Sequence, residues 1–442
     1  MVRRVNNEIQ LKRRNPIIQK VSTFFAFYLV FSSLVPQVRI IPGYYLLMFL
    51  SMFLWLIIAA LAHPSFFTRF NAHKLLIFLY IIYTVVVPYI FGNGIIGNRY
   101  LEHGVMLIFY LIYKYNRTYG YSNSNKMIVK ISLLSITITS VLTLVGLFSN
   151  PYLARSIKSS GEYTMHLRSQ GIGGYEFIYL LVFVSINLFF LLNNKKFVNL
   201  RVGSTFIFAS LFILFSFTIV YANYFTAFIM LLLSIAILLF MKNRNIFVKI
   251  FILFIGSILM IFRKSIIELI INIVIKLLGT GATVEKLLKL QEATSIYNGS
   301  NSIFSDRAFT IISSWLSFLE NPIGGLVTKP IQSSGGFLIG FGQHSHFVDT
   351  LALYGLVIGL INIYIILYPL FDKFNKNKEM FSLNLAMLMS VLIIFSFNNV
   401  TPSIGFGIFF LYPVFYDWFM ELKNYSKEGS INKRSVWKNE RN

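Results

Sequence analysis

Residues 203–241 read GSTFIFASLFILFSFTIVYANYFTAFIMLLLSIAILLFM, a stretch without one charged side chain. As a single helix it would run about 58 Å at 1.5 Å per residue, against a hydrocarbon thickness of about 30 Å. The chain therefore crosses a bilayer here, turns and crosses back, and Tyr221, Ala222 and Asn223 mark the turn.

Similar apolar runs recur along the chain. They fall near 17–36, 41–61, 74–92, 99–114, 129–149, 172–192, 203–221, 223–241, 246–262, 347–370, 381–399 and 403–420, each near the length a span requires. The weakest is 99–114, which opens on Arg99, Glu102 and His103 and is expected to be half-buried or tilted. Composition agrees. Of 442 residues 56% are hydrophobic and 12% charged, where a water-soluble surface would need roughly 25%. The 17% aromatic content suits bilayer interfaces and a packed membrane interior. The fold expected is all-α: a polytopic integral membrane protein of about 12 transmembrane helices. Residues 1–420 form one transmembrane domain and 421–442 a basic cytoplasmic tail.

The net charge of +23 does not point to nucleic acid, because the cations sit in short clusters between apolar runs. With the amino terminus in the cytoplasm, the cytoplasmic segments hold 27 of the 39 Lys and Arg residues. Lys195–Lys196, Lys242/Arg244 and Lys373/Lys376/Lys378 fall in alternate connections, as the positive-inside rule requires. Both termini are thus expected inside. Cysteine is absent, which excludes disulfides, thiolate metal sites and a Cys nucleophile. The basic head lacks a small-x-small cleavage site, so a cleaved signal peptide is not expected.

Two extracytoplasmic segments are longer than connection requires. The first, about 150–171, carries Arg155, Lys158, Glu162, His166 and Arg168. The second, about 263–346, opens with an amphipathic piece, Lys264 to Leu278, suited to the interface. It continues through a helical candidate at 306–320 with Arg307, Trp315 and Glu320, and closes in a glycine-rich section. Arginine presents a planar fork that matches phosphate oxygens. Arg155, Arg168 and Arg307 either grip a diphosphate or cap helices and pair with Glu162, Glu176 and Asp306.

The densest site signal is GQHSHFVDTLALYGLVIG, residues 342–359. His346 and Asp349, three apart, share a face if the helix has begun, and an aspartate there raises imidazole basicity. His344 and His346 are candidates for proton transfer; the alternative is an interfacial helix cap through Ser345 or His346. No further ligand accompanies them, so neither metal nor cofactor is expected. Glu176, a short way into its span, is a costly carboxylate that serves as a base, an arginine partner or a proton-coupling group. Asn223, Asn398 and Asn399 are read as helix ends.

These stretches carry a resemblance. NPYLARSIKSSG running into GIGGYEFIYL, then SDRAFTIISSWLSFLENPIGGL, then HSHFVDTLALYGLVIGL together resemble the O-antigen polymerase and ligase superfamily, specifically the Wzy-type polysaccharide polymerases. Ser345 stands where many ligases have Asn, which favours a polymerase. The resemblance implies a metal-independent, membrane-embedded glycosyltransferase in a bacterial cytoplasmic membrane. It would join oligosaccharide repeat units carried on undecaprenyl diphosphate into a capsular or other surface polysaccharide. Arg155, Arg168, Arg307 and Lys158 would hold diphosphate. His344 or His346, oriented by Asp349, would activate the acceptor or assist departure, with Glu176 a further catalytic candidate. A flippase and a chain-length regulator of the same pathway would be partners. The rival readings are a repeat-unit flippase or other secondary transporter, and a ligase.

Overall fold

The computed structural model describes residues 16–68, 71–91, 97–150, 153–157, 162–194, 202–242, 284, 305–329, 333–334, 337–338, 344–374 and 377–422, with backbone alone at 16, 85, 97–103, 242, 305–309, 333–334, 337–338, 374 and 378. The helices are α1 (Pro16–Leu34), α2 (Tyr44–Ala62), α3 (Ala72–Ile90), α4 (Gly97–Thr118), α5 (Ser122–Ser149), α6 (Glu162–Ser169), α7 (Tyr175–Asn193), α8 (Val202–Tyr221), α9 (Phe225–Lys242), α10 (Ser305–Glu320), α11 (His346–Phe374), α12 (Phe381–Phe397) and α13 (Pro402–Leu422). Among the described residues, eight of these are long and apolar enough to cross a membrane, and α9 and α12 are shorter apolar helices. The chain is an all-α, polytopic membrane protein. The expected run 246–262, the amphipathic piece 264–278 and the tail beyond 422 lie outside the described residues.

The stretch 203–241 divides where its length demanded. α8 ends at Tyr221 and α9 begins at Phe225. Between them Asn223 takes φ 59°, a left-handed conformation that asparagine tolerates better than most residues.

Burial separates the helices into an outer ring and a centre. Only 17% of the apolar window of α8 is buried, against 78% for α7 and 83% for α13. α8 presents Phe206, Ile207 and Ile213 outward, and α2 presents Leu46, Phe53 and Leu61. Contiguous apolar surface of this kind is stable against lipid. α4, expected as the weakest span, is not among the eight. Every residue from Val105 to Tyr113 is buried, and its modest hydropathy reflects neighbours that are protein instead of lipid.

Small residues let the central helices approach. A Cβ on Gly405 of α13 would lie 2.0 Å from Met106 of α4, and one on Gly407 would lie 3.2 Å from Phe183 of α7. Close approach through glycine is how membrane helices gain packing without a hydrophobic driving force between them. Hydroxyl pairs add polar contacts: Ser140 to Thr218 at 2.7 Å and Ser234 to Ser390 at 2.8 Å.

One end of the bundle is held by a compact charge network. Lys373 Nζ donates to Asp417 at 2.9 Å and to the Tyr113 hydroxyl at 3.0 Å, while that hydroxyl donates to Asp417 at 2.6 Å. Arg117 stands 3.3 Å from the same carboxylate. Lys126 pairs with Glu421 nearby. Pro369 has no N–H to give the Ile365 carbonyl, and His73 Nε2 supplies the missing donor at 3.2 Å. The opposite end carries Glu176 and is described below.

α11 is not the single span expected over 347–370. At Gly355 the backbone takes φ 73°, ψ −177° and the helix breaks. Two contacts show that the halves lie side by side. His346 Nε2 is 3.0 Å from Asn362 Oδ1, although sixteen residues of straight helix would part them by about 24 Å. A Cβ on Gly359 would lie 3.1 Å from the Leu351 Cα. The spanning half is therefore residues 356–374, and residues 346–354 form a short helix folded back on it. α10 packs beside this short helix, and the turn Asn321–Gly325 plugs the break: the Leu356 N–H donates to the Pro322 carbonyl at 2.7 Å. Two-residue strands, β1 (Ser333–Ser334) and β2 (Phe337–Leu338), pair antiparallel between α10 and α11, with Ser333 opposite Leu338.

Candidate functional site

The site begins at a residue that sequence reasoning passed over. Arg39 sits in the five-residue 3-10 turn Pro36–Ile40 that joins α1 to α2. Its Nη2 is 2.6 Å from Glu176 Oε2 and donates to the Ser33 carbonyl and to Ser403 Oγ, both at 2.9 Å. Ser403 Oγ in turn donates to the Ser33 carbonyl at 2.5 Å and lies 3.3 Å from Glu176 Oε2. Three elements, the α1–α2 turn and the starts of α7 and α13, thus converge on one carboxylate oxygen.

The glycines before α7 make the convergence possible. Gly171 has φ 77°, and a Cβ there would lie 2.3 Å from the Gln37 side chain. The chain entering α7 therefore lies directly on the turn that carries Arg39. Gly174 packs against Ile157 in the same way.

Glu176 Oε1 has no hydrogen-bond partner among the described residues, and the side chain keeps 24% of its surface exposed. One oxygen is anchored and the other is unpaired among the described residues. Arg168, on the last turn of α6, stands close enough to act electrostatically on the same carboxylate. α6 shows that the expected loop 150–171 is partly helical, with a further helical turn at Leu153–Ser156.

Arg155 lies on that turn. Its guanidinium is 5.7 Å from the centre of the Tyr224 ring, and its buried Nε has no hydrogen-bond partner among the described residues. The Tyr224 hydroxyl fixes the turn by donating to the Ala154 carbonyl at 3.0 Å. Tyr224 belongs to a ring cluster with Tyr175 and Tyr179 of α7, whose centroids lie 4.9–6.2 Å apart. The segment between α12 and α13 closes this cluster: Tyr175 donates to the Asn399 carbonyl at 3.1 Å, and Asn398 Nδ2 donates to the Tyr179 hydroxyl at 2.9 Å. Asn398 and Asn399 do end α12, as read from the sequence, and they also tie the site together.

The histidine segment reaches the site through Asn398. The His346 N–H donates to the Asn398 carbonyl at 3.2 Å, and its Nδ1 accepts from the Val400 N–H at 3.4 Å. The ring proton is therefore on Nε2, which faces Asn362 Oδ1. Both ring nitrogens are occupied by protein and the residue is buried.

Asp349 does not orient this ring. Its Oδ1 accepts from Ser314 of α10 at 2.5 Å, and its Oδ2 accepts from the Ser345 N–H at 3.1 Å. Ser345 Oγ in turn accepts from the Val348 N–H at 3.4 Å. This is a capping arrangement that starts the short helix, so the His346–Asp349 pairing drawn from their spacing is corrected. The two side chains share a helix, but the helix start uses the carboxylate and the break at Gly355 brings Asn362 to the imidazole.

His344 is exposed just before the helix. Arg307 stands in the first turn of α10, where only the backbone is described, and Lys158 lies outside the described residues. The structure thus gathers Arg155, Arg168, Glu176 and His346 at one end of the bundle and adds Arg39, Ser403 and the three tyrosines. The missed signal for Arg39 was its place: a cation in a five-residue connection that the expected topology puts outside, where the charge rule disfavours one.

Scans of protein-family models, of curated proteins and of solved structures found no match to the chain.

Proposed function

We propose that this protein polymerises oligosaccharide repeat units carried on undecaprenyl diphosphate, as the Wzy-type polymerases do, at the outer face of a bacterial cytoplasmic membrane. In this reading the Lys373 end of the bundle faces the cytoplasm with both termini, and the Glu176 end faces outward. The alternation of basic clusters supports that orientation.

The observation that carries the proposal is Arg155. A guanidinium over a tyrosine ring, with a buried N–H that no described protein group accepts, is poised for an anion from outside the protein. A lipid diphosphate is such an anion. Arg168 adds a second cation, and Arg307 is assigned to the same role by resemblance. The reaction joins two lipid-linked glycans. A hydroxyl at the non-reducing end of the acceptor attacks the anomeric carbon of the donor. The bond to the diphosphate breaks, and its electron pair leaves with undecaprenyl diphosphate. Guanidinium groups stabilise that developing charge.

The test is a purified-protein assay with lipid-linked repeat units, read as a ladder of products. Arg155→Ala is expected to lower polymer output about a hundredfold, the scale of losing one preorganised donor to a leaving charge. Equal ladders from the variant and the parent protein would remove Arg155 from the proposal.

A transport reading has one observation in its favour. Broken helices are a recurrent feature of transporters, and α11 breaks at Gly355. If the chain is a flippase, the same preparation in vesicles moves the lipid-linked unit between leaflets and makes no ladder.

A further inference from the structure

We propose that Glu176 is the base that accepts the proton of the attacking hydroxyl, with Arg39 as its positioning residue; this rests on the polymerase reading above. The inference comes from how the carboxylate is held. Oε2 is anchored by Arg39 at 2.6 Å and lies 3.3 Å from Ser403 Oγ. Arg39 is itself fixed by the Ser33 carbonyl and Ser403 Oγ, so the pair cannot swing as a unit. Oε1 has no partner among the described residues, and the side chain is partly open. A general base needs this combination of fixed direction, an unoccupied lone pair and access.

Of the competing groups His346 and Asp349 are already committed, whereas His344 is exposed just before its helix. His346 has both ring nitrogens in protein hydrogen bonds, and both Asp349 oxygens cap or cross-link helices. The Arg155 and Arg168 cations stand on the same end of the bundle, so the proton acceptor and the groups that receive the leaving diphosphate share one site. As the acceptor oxygen bonds to the anomeric carbon, its proton passes to Glu176 Oε1 and the phosphate oxygen departs with the bonding pair. No other reactant is required.

An arginine–carboxylate pair is also an ordinary helix-to-helix brace, so the experiment must separate chemistry from scaffolding. Glu176→Ala and Arg39→Lys are purified and assayed for ladder formation, with melting temperatures measured alongside. Glu176→Ala should lose between about a hundredfold and ten-thousandfold in kcat, the usual share of a general base. KM for the lipid-linked unit should stay within about threefold. Added formate, a small carboxylate that fits the vacated space, should restore at least tenfold of the lost rate. Arg39→Lys keeps a cation at Oε2 and should retain activity within about tenfold, whereas Arg39→Met should fall with Glu176→Ala. A Glu176→Ala protein that melts like the parent and is inactive but insensitive to formate would overturn the assignment. So would one whose kcat is unchanged while KM rises. If the parent protein itself makes no ladder, the polymerase reading fails first, which separates that outcome from failure of the base assignment.

Discussion

Gly355 is where the sequence forces the largest departure from regular structure. Its φ of 73° is open to glycine and strained for other residues. A Cβ there would also sit 2.2 Å from the Ile323 carbonyl oxygen, inside any permissible contact. Gly325 faces the same constraint from the other side, with φ 66° and a Cβ that would meet the Leu353 carbonyl at 2.3 Å. The two glycines are therefore complementary halves of one close approach. Gly355→Ala should cost well over the ~1 kcal/mol of an ordinary helix glycine, seen as a lower melting temperature and a lower yield of folded protein. Gly203→Ala is the control: nothing lies within 4 Å of its Cβ position in α8, so the change should be neutral or stabilising by up to ~1 kcal/mol. Equal behaviour of the two variants would remove the reversal at Gly355 from the account.

At the scale of elements, the paired unit of α10 and the short half of α11 positions one wall of the site. Ser314, Asp349 and Ser345 join it, and the Asn321–Gly325 turn closes it. Asp349→Ala leaves a buried serine hydroxyl and the Ser345 N–H short of an acceptor, a loss of about 1–3 kcal/mol per unsatisfied group. The melting temperature should fall, while turnover per folded molecule stays within a few-fold of the parent. A variant that melts normally and has lost turnover would return Asp349 to the chemistry.

The spans were largely legible in the sequence, because a run near twenty apolar residues has few other uses. The turn at Asn223 followed from length alone. What periodicity could not show was the break in α11. LALYGLVIGL is apolar on both sides of Gly355, so the run reads through as one helix, and only the contact of Gly359 with Leu351 reveals two. α4 stood apart for a related reason, since hydropathy measures fitness for lipid and residues 105–113 of α4 are buried against protein. At the site, Arg155 and Arg168 stood out as cations in a long loop, and Glu176 as a carboxylate in a costly place. Arg39 did not, because its partner lies 137 positions away in the chain and pairing across that distance leaves no local pattern.

The whole molecule has two polar ends with different characters. The Lys373 end is a closed network in which Lys373, Tyr113, Arg117 and Asp417 satisfy one another, and it serves to lock helices. The Glu176 end holds Arg39 and Arg168 near one carboxylate and Arg155 beside Tyr224, its buried Nε unpaired among the described residues. The absence of cysteine makes the orientation directly measurable with single-cysteine variants. A cysteine at exposed Gln170 should react with a membrane-impermeant maleimide in intact cells. One at exposed Thr118 should react only after permeabilisation. The reverse pattern would place the Glu176 end in the cytoplasm.

Joining of lipid-borne sugars at the Glu176 end is the activity proposed, and purified protein with authenticated lipid-linked repeat units puts it to the test. A ladder of products that lengthens with time and is nearly abolished in Arg155→Ala is the expected result. A folded protein that leaves the repeat units unjoined, or carries them across a vesicle membrane unchanged, would contradict it.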